Sequence, residues 1–303
     1  MVVVSAVLFG ALVYGVTLLE PMTAEEIGGW RIVITVPCLT LFLVFSGGWR
    51  LARREIGRVA KHPLLIVGLI ATSGLIGVQF WLFMWAPMHG RALEVSLGYF
   101  LFPLIMVLVG RLVYRERVLP LQWLAAAVAA AGVIHEIVAV GGLGWETLVV
   151  AIGYPVYFVI RRWLRFDNLF GLWSDMFILL PVAIVFIATG TLSFAALGEN
   201  PTLWWMLPVV GVLGALALLL YIHASKLLSF SLFGLLSYVE PLLVLVAALL
   251  LGERLLPGEW FTYVPIWLAV AILIVQGVVS VRSGHRRKRS DAMTAPLATA
   301  SSQ

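Results

Sequence analysis

The stretch EVSLGYFLFPLIMVLVGRLVYRERVLPLQW, Glu94 to Trp123, is an apolar run broken by Pro103 and closed by Arg115, Glu116, Arg117 and Pro120. The same order returns in SLFGLLSYVEPLLVLVAALLLGERLLPGEW, Ser231 to Trp260. Tyr99 and Pro103 in the first copy answer Tyr238 and Pro241 in the second. Glu116-Arg117 answers Glu253-Arg254, Pro120 answers Pro257, and Trp123 answers Trp260. Shared order over a stretch of this length marks two copies of one unit.

The chain around these copies has 303 residues, 62% hydrophobic and 12% charged. Soluble domains are nearer half apolar and a quarter charged. The apolar residues come in blocks long enough to span a bilayer as helices, which takes ~20 residues each. The short alternating segments of a membrane β-barrel are missing. The expected fold is an all-α integral membrane protein with ten transmembrane helices, at about 2–19, 30–48, 64–86, 92–113, 119–136, 145–161, 171–189, 203–221, 230–251 and 260–280. Val2 to Leu19 has no basic residues before it and no small-residue cleavage site, so it reads as a span and not as a signal peptide.

A net charge of +5 raises the question of nucleic acid. Of the 20 Lys and Arg residues, all but Arg31, Arg91 and Arg254 lie in alternate connections or in the tail after Val281. That is the positive-inside pattern of a membrane protein, with both termini cytoplasmic, and no nucleic-acid partner is expected. The one cysteine, Cys38, excludes an intrachain disulfide and a multi-cysteine metal site. No cofactor is implied.

Each copy of the repeat covers five spans, an odd number, so the second copy is expected to sit inverted: 1–140 as the first five-helix repeat, 141–281 as the second, and 282–303 as a disordered basic cytoplasmic tail. Inverted repeats are a recurrent plan of secondary transporters, with the substrate near the midplane between the halves. Pro103 and Pro241 fall at depths of ~13 and ~16 Å in a core of ~30 Å. As helix breaks they free the carbonyls of Tyr99 and Ser237, which then need a helix, water or ligand as partner.

LEVSLGYFLFPL (Leu93 to Leu104), followed by RERVLPLQWLA (Arg115 to Ala125), resembles the RarD group of EamA-type permeases in the drug/metabolite transporter superfamily. Trp30-Arg31, QFWLFMWA (Gln79 to Ala86), Gly171 and LLP (Leu179 to Pro181) extend the resemblance over about residues 2–280. It implies ten helices in two inverted repeats in the bacterial inner membrane, carrying small metabolites or drugs. The chain departs from the pattern at Gln79, where asparagine is usual, at Asp175, where glutamate is usual, and at Glu240, where a non-acidic residue is expected.

The candidate substrate or coupling residues follow from polarity at membrane depth. Glu240, beside Pro241, either carries a proton or is a protonated structural acid; an unpaired acid there costs roughly 3 kcal/mol. Glu94 either meets Arg31 or Arg91 in an outer gate, receives a cationic group, or simply caps a helix start. Arg31 either pairs with Glu94, holds an anionic substrate, or snorkels to water. Gln79 bonds substrate or a neighbouring helix. Trp81 and Trp85 stack on substrate or anchor at the interface. Tyr99 and Tyr238 are expected to line a central cavity, with Tyr154 and Tyr157 as weaker candidates. Asp175 is expected to pair with Lys226 or Arg162.

The leading expectation is a secondary transporter for a small molecule, with protons as the candidate coupling ion. No GxxxxGK[ST] phosphate loop is present. An integral-membrane enzyme is the weaker alternative: His135-Glu136 is followed by Ala139 where HExxH needs histidine, and GxSxG is absent. A non-transporting sensor or partner subunit is the third.

Overall fold

The computed structural model describes residues 1–19, 21–88, 91–190, 192–239, 258 and 260–276. Every regular element among them is an α-helix. In chain order these are α1 (Val2–Thr17), α2 (Ala24–Phe45), α3 (Trp49–Lys61), α4 (Leu64–Met88), α5 (Ala92–Leu112), α6 (Pro120–Val140), α7 (Trp145–Trp163), α8 (Leu169–Thr189), α9 (Leu192–Glu199), α10 (Leu203–Leu227) and α11 (Phe230–Leu236). An apolar helix, Trp260–Gln276, follows as α12.

Six of these, in α2, α4, α5, α6, α8 and α10, are long and apolar enough to cross a membrane. Their outward faces carry exposed Phe42, Phe45, Val67, Ile70, Ile134, Val138, Ile184 and Val185. Such a belt has no place in water but suits lipid, where the helix also satisfies its own backbone. The chain is a multi-pass membrane protein.

Local chemistry sets the helix ends. Thr23 and Glu26 form a capping box: the Glu26 N–H donates to Thr23 Oγ1 at 3.3 Å and the Thr23 N–H to Glu26 Oε2 at 2.8 Å. This starts α2 at Ala24, six residues before the expected 30, because Glu25 and Glu26 belong to the helix and not to a loop. Pro120 opens α6, and Gly141 closes it with φ of 86°. Asn168 Oδ1 accepts from the Gly171 N–H at 3.1 Å and caps α8.

Two helices lie where the hydropathy pattern predicts connections. α9 is a single short piece. α3 carries Arg50, Arg53, Arg54, Arg58 and Lys61 on one side, with Ala52 buried. Arg58 Nη2 donates to the Leu164 carbonyl at 3.0 Å, which ties α3 to the α7–α8 turn. The Arg58 guanidinium lies 5.0 Å from the Phe166 ring. α3 thus lies along the basic end of the bundle, where the α2–α4, α5–α6, α7–α8 and α10–α11 connections gather.

α2 packs on α8, α5 on both α7 and α11, α10 on α1 and α2, and α4 on α7 and α8. Small residues allow these approaches. A Cβ on Gly29 would meet the Ala183 carbonyl oxygen of α8 at 2.8 Å, and one on Gly98 the Thr147 carbonyl oxygen of α7 at the same distance. Glu240, Pro241, Glu253, Arg254 and Pro257, all prominent in the repeat, lie outside the described residues.

Candidate functional site

The interior of the bundle holds a cavity of about 90 Å³, room for several waters. Phe9 and Leu12 of α1, Arg31 of α2, Ile76, Phe80 and Phe83 of α4, and Tyr99 and Phe102 of α5 form part of its wall. Tyr154, Tyr157 and Phe158 of α7, Leu172 of α8, Leu218, Tyr221 and Ile222 of α10, and Ser237 just after α11 complete it. Mostly apolar walls with a few converging polar groups are the usual form of a small-molecule site. The Tyr99 and Tyr154 hydroxyls are 3.3 Å apart, and the Tyr221 hydroxyl is 3.2 Å from Ser237 Oγ. The Arg31 guanidinium sits 5.7 Å from the centre of the Phe80 ring.

Aromatic rings pack on one side of the cavity, toward the α5–α6 and α10–α11 connections. Phe158 packs edge-on against Phe233 at 5.2 Å, and Tyr221 lies 4.8 Å from Phe233. Below them Arg162 lies over Tyr114 at 4.5 Å and over Phe230 at 5.1 Å. The Glu116 carboxylate accepts from the Phe230 N–H at 2.8 Å and from the Ser231 N–H and hydroxyl at 3.0 Å each. An acid from the α5–α6 connection therefore caps the N-terminus of α11.

Beside this plug lies a buried polar cluster. Asp175 is 0% exposed and Arg161 1%. Asp175 Oδ2 accepts from Arg161 Nη1 at 2.7 Å and from the Tyr157 hydroxyl at 2.9 Å; Oδ1 accepts from Thr72 at 2.8 Å and Ser73 at 3.2 Å. Arg161 Nη2 donates to the Asn168 carbonyl at 3.1 Å. Four donors around one carboxylate offset its desolvation and tie α4, α7 and α8 together.

Residues 1–135 match the EamA-like transporter family. The "Chloramphenicol-sensitive protein RarD" of Pseudomonas aeruginosa is 43% identical over 88% of this chain and 90% of its own length. An uncharacterized transporter of Pasteurella multocida is 38% identical over 93% of this chain and 97% of its own. "Protein RarD" of Salmonella typhi is 30% identical over 86% and 88%. The chain is a RarD-type member of the EamA-like transporter family. A solved structure named only "Crystal structure of protein" is 17% identical with a TM-score of 0.60, over 90% of this chain and 95% of that one, which is a likeness of fold.

In this RarD-type chain the expected residues are dispersed. Tyr99 and Arg31 face the central cavity together. Trp81 lines a second cavity of about 280 Å³ between α2, α4, α8 and α10, which shares Arg31, Phe80 and Leu218 with the first. The Trp81 and Trp85 rings are 5.3 Å apart, and Trp85 lies 5.8 Å from Trp145. Gln79 is 1% exposed and its Nε2 donates to the Val149 carbonyl at 2.9 Å, between α4 and α7. Tyr238 is fully buried between α5, α6, α11 and α12, its hydroxyl donating to the Phe100 carbonyl at 2.8 Å. Glu94 pairs with Arg91 at 2.9 Å, not with Arg31, and Arg91 Nε also lies 3.6 Å from the buried Glu146. Pro103 is buried within α5, and Gly234 of α11 packs against its carbonyl.

The expected partner of Asp175 needs correction. It is Arg161, not Arg162 or Lys226, because Arg162 points to Glu116 at 3.9 Å. The signal for this was present: Tyr154, Tyr157, Phe158 and Arg161 recur at i, i+3, i+4 and i+7, one face of a helix. That face meets the cavity and the buried acid, and Arg162 is rotated off it.

Proposed function

We propose that this protein is a secondary transporter that carries a small organic molecule across the bacterial inner membrane by alternating access to the central cavity. The observation that carries this is the cavity itself, walled by helices from before and after residue 140, with Phe158, Phe233 and Tyr221 packed together on one side of it. Rocking of one half on the other would part those rings and open the cavity to the other face.

The packing supports two inverted five-helix halves. Exchange α1 with α7, α2 with α8, α4 with α10 and α5 with α11. The pairs α2–α8 and α5–α11 map onto themselves. The pair α4–α7 maps onto α10–α1, α4–α8 onto α10–α2, α2–α4 onto α8–α10, and α5–α7 onto α11–α1. Every one of these contacts is present, as a two-fold relation between halves requires. Because each half has an odd number of spans, the halves run in opposite directions, with both termini on the cytoplasmic side as the basic loops indicate. Protons are the coupling ion of this reading, with Glu240 as carrier.

The test is flux in proteoliposomes: a mixed pool of metabolites and drugs, with and without a pH gradient, for wild type and Glu240→Gln. The expected result is saturable, gradient-driven accumulation that the variant loses while keeping downhill exchange. Gradient-independent exchange in both proteins removes the proton from the scheme. A folded, monodisperse sample that moves no compound points instead to a sensor or partner subunit.

A further inference from the structure

Arg31 is the one charged side chain among the described residues that line the central cavity. It is half-buried, and it lines the second cavity as well. Its neighbours are the Phe80 ring and the Tyr99 and Tyr154 side chains. Gly214 leaves space beside it: a Cβ there would lie 3.4 Å from Arg31 Nη2. Among the described residues no carboxylate comes within 4 Å of Arg31. The other deep guanidinium, Arg161, has Asp175 at 2.7 Å.

A cation at this depth is expensive unless something neutralises it. The Phe80 ring stabilises it by roughly 0.5–2 kcal/mol, and no described carboxylate balances the charge. Glu25, on the wall of the second cavity, is six residues earlier on α2, about 9 Å along the axis, and is too far for a hydrogen-bonded pair. A planar, fork-shaped donor with an open face, set among aromatic rings, fits a carboxylate carrying an apolar body.

We propose that the central cavity takes a small organic monoanion, its carboxylate held by Arg31 and its body packed among Phe9, Phe80, Phe83 and Phe102. The inference rests on the cavity being the ligand site of the transporter reading. A zwitterionic α-amino acid fits less well, since its ammonium, fixed beside the carboxylate, does not reach Glu25.

The test is equilibrium binding to the purified full-length protein in detergent, by calorimetry and thermal shift, with three ligands of similar size: benzoate, benzamide and benzylamine. Benzoate is expected to bind and raise the melting midpoint, and the neutral and cationic analogues to bind at least about ten-fold more weakly, as loss of a charge-assisted bond predicts. Arg31→Gln is expected to remove the preference for benzoate, and Arg31→Lys to keep part of it. Benzamide or benzylamine binding as well as benzoate overturns the proposal on wild-type protein alone, whatever the variants do. So does a folded Arg31→Gln protein with unchanged benzoate affinity, or no benzoate binding at millimolar concentration. Benzoate binding through Arg31 without flux in vesicles retains the anion site and sinks the transporter; flux without anion preference does the reverse.

Discussion

Asp175 and Glu146 are both buried acids, and their surroundings separate them. Asp175 has two hydroxyl donors on one oxygen, and a phenol and a guanidinium on the other. Among the described residues neither Glu146 oxygen has a hydrogen-bond partner, and its ion pair with Arg91 is long at 3.6 Å. Asp175→Asn leaves Arg161 charged and buried without its counter-ion, a loss of about 3–5 kcal/mol, read as a large drop in melting midpoint and yield. Glu146→Gln is expected to stay within about 1 kcal/mol of wild type in the same assay, because little is lost with the charge. The double change Arg161→Met with Asp175→Leu is expected to recover most of the loss, because it removes both desolvated charges together. Asp175 stood out in the sequence as an acid inside an apolar block. Its partner did not, because Arg161 and Arg162 are adjacent in the chain and only the rotation of α7 separates them.

At the scale of elements, α11 depends on a residue far away in the chain. Glu116→Ala removes the acceptor for two backbone donors at the start of α11 and is expected to destabilise by about 1–2 kcal/mol, measured as a fall in melting midpoint. Gly98→Val places carbon where the Thr147 carbonyl already sits and is expected to force α5 off α7, with loss of folded protein on size exclusion. α3 presents its basic side chains along the bundle end and should bind anionic headgroups, at about 1 kcal/mol per basic residue near the surface. Thermal stability in nanodiscs checks this: anionic lipid is expected to stabilise wild type, and the triple change Arg50, Arg53 and Arg54 to Gln to erase that gain. The charges of α3 conceal it from a hydropathy window, although Trp49, Ala52, Ile56 and Val59 recur at helical spacing.

For the whole molecule the alternating-access reading makes the aromatic group of Phe158, Tyr221 and Phe233 the barrier at the basic end. With Cys38→Ser as background, a cysteine in place of Ser237 reports access to the cavity. A membrane-impermeant maleimide is expected to label it from the face opposite the basic loops. Adding Phe158→Ala is expected to admit label from both faces. Equal labelling from both faces without that change places the barrier elsewhere.

The chain alone determined the class of molecule. Long apolar blocks can only be paid for by lipid, and helices lie at the expected spans in α1, α2, α4 to α8, α10 and α12, six of them long and apolar enough to cross a membrane. The proposed repeat, too, rests on residue order in the chain. Tertiary structure decided which polar groups meet. Tyr99 faces a cavity and Tyr238, its counterpart in the repeat, is sealed in packing against Phe100. Gln79 turns to the Val149 carbonyl, and Arg31 stands where no described carboxylate reaches it. Hydropathy sums over ~20 residues and is indifferent to rotation about a helix axis. A side chain's partner depends on that rotation and on which distant helix lies opposite. Both are settled only when the helices pack.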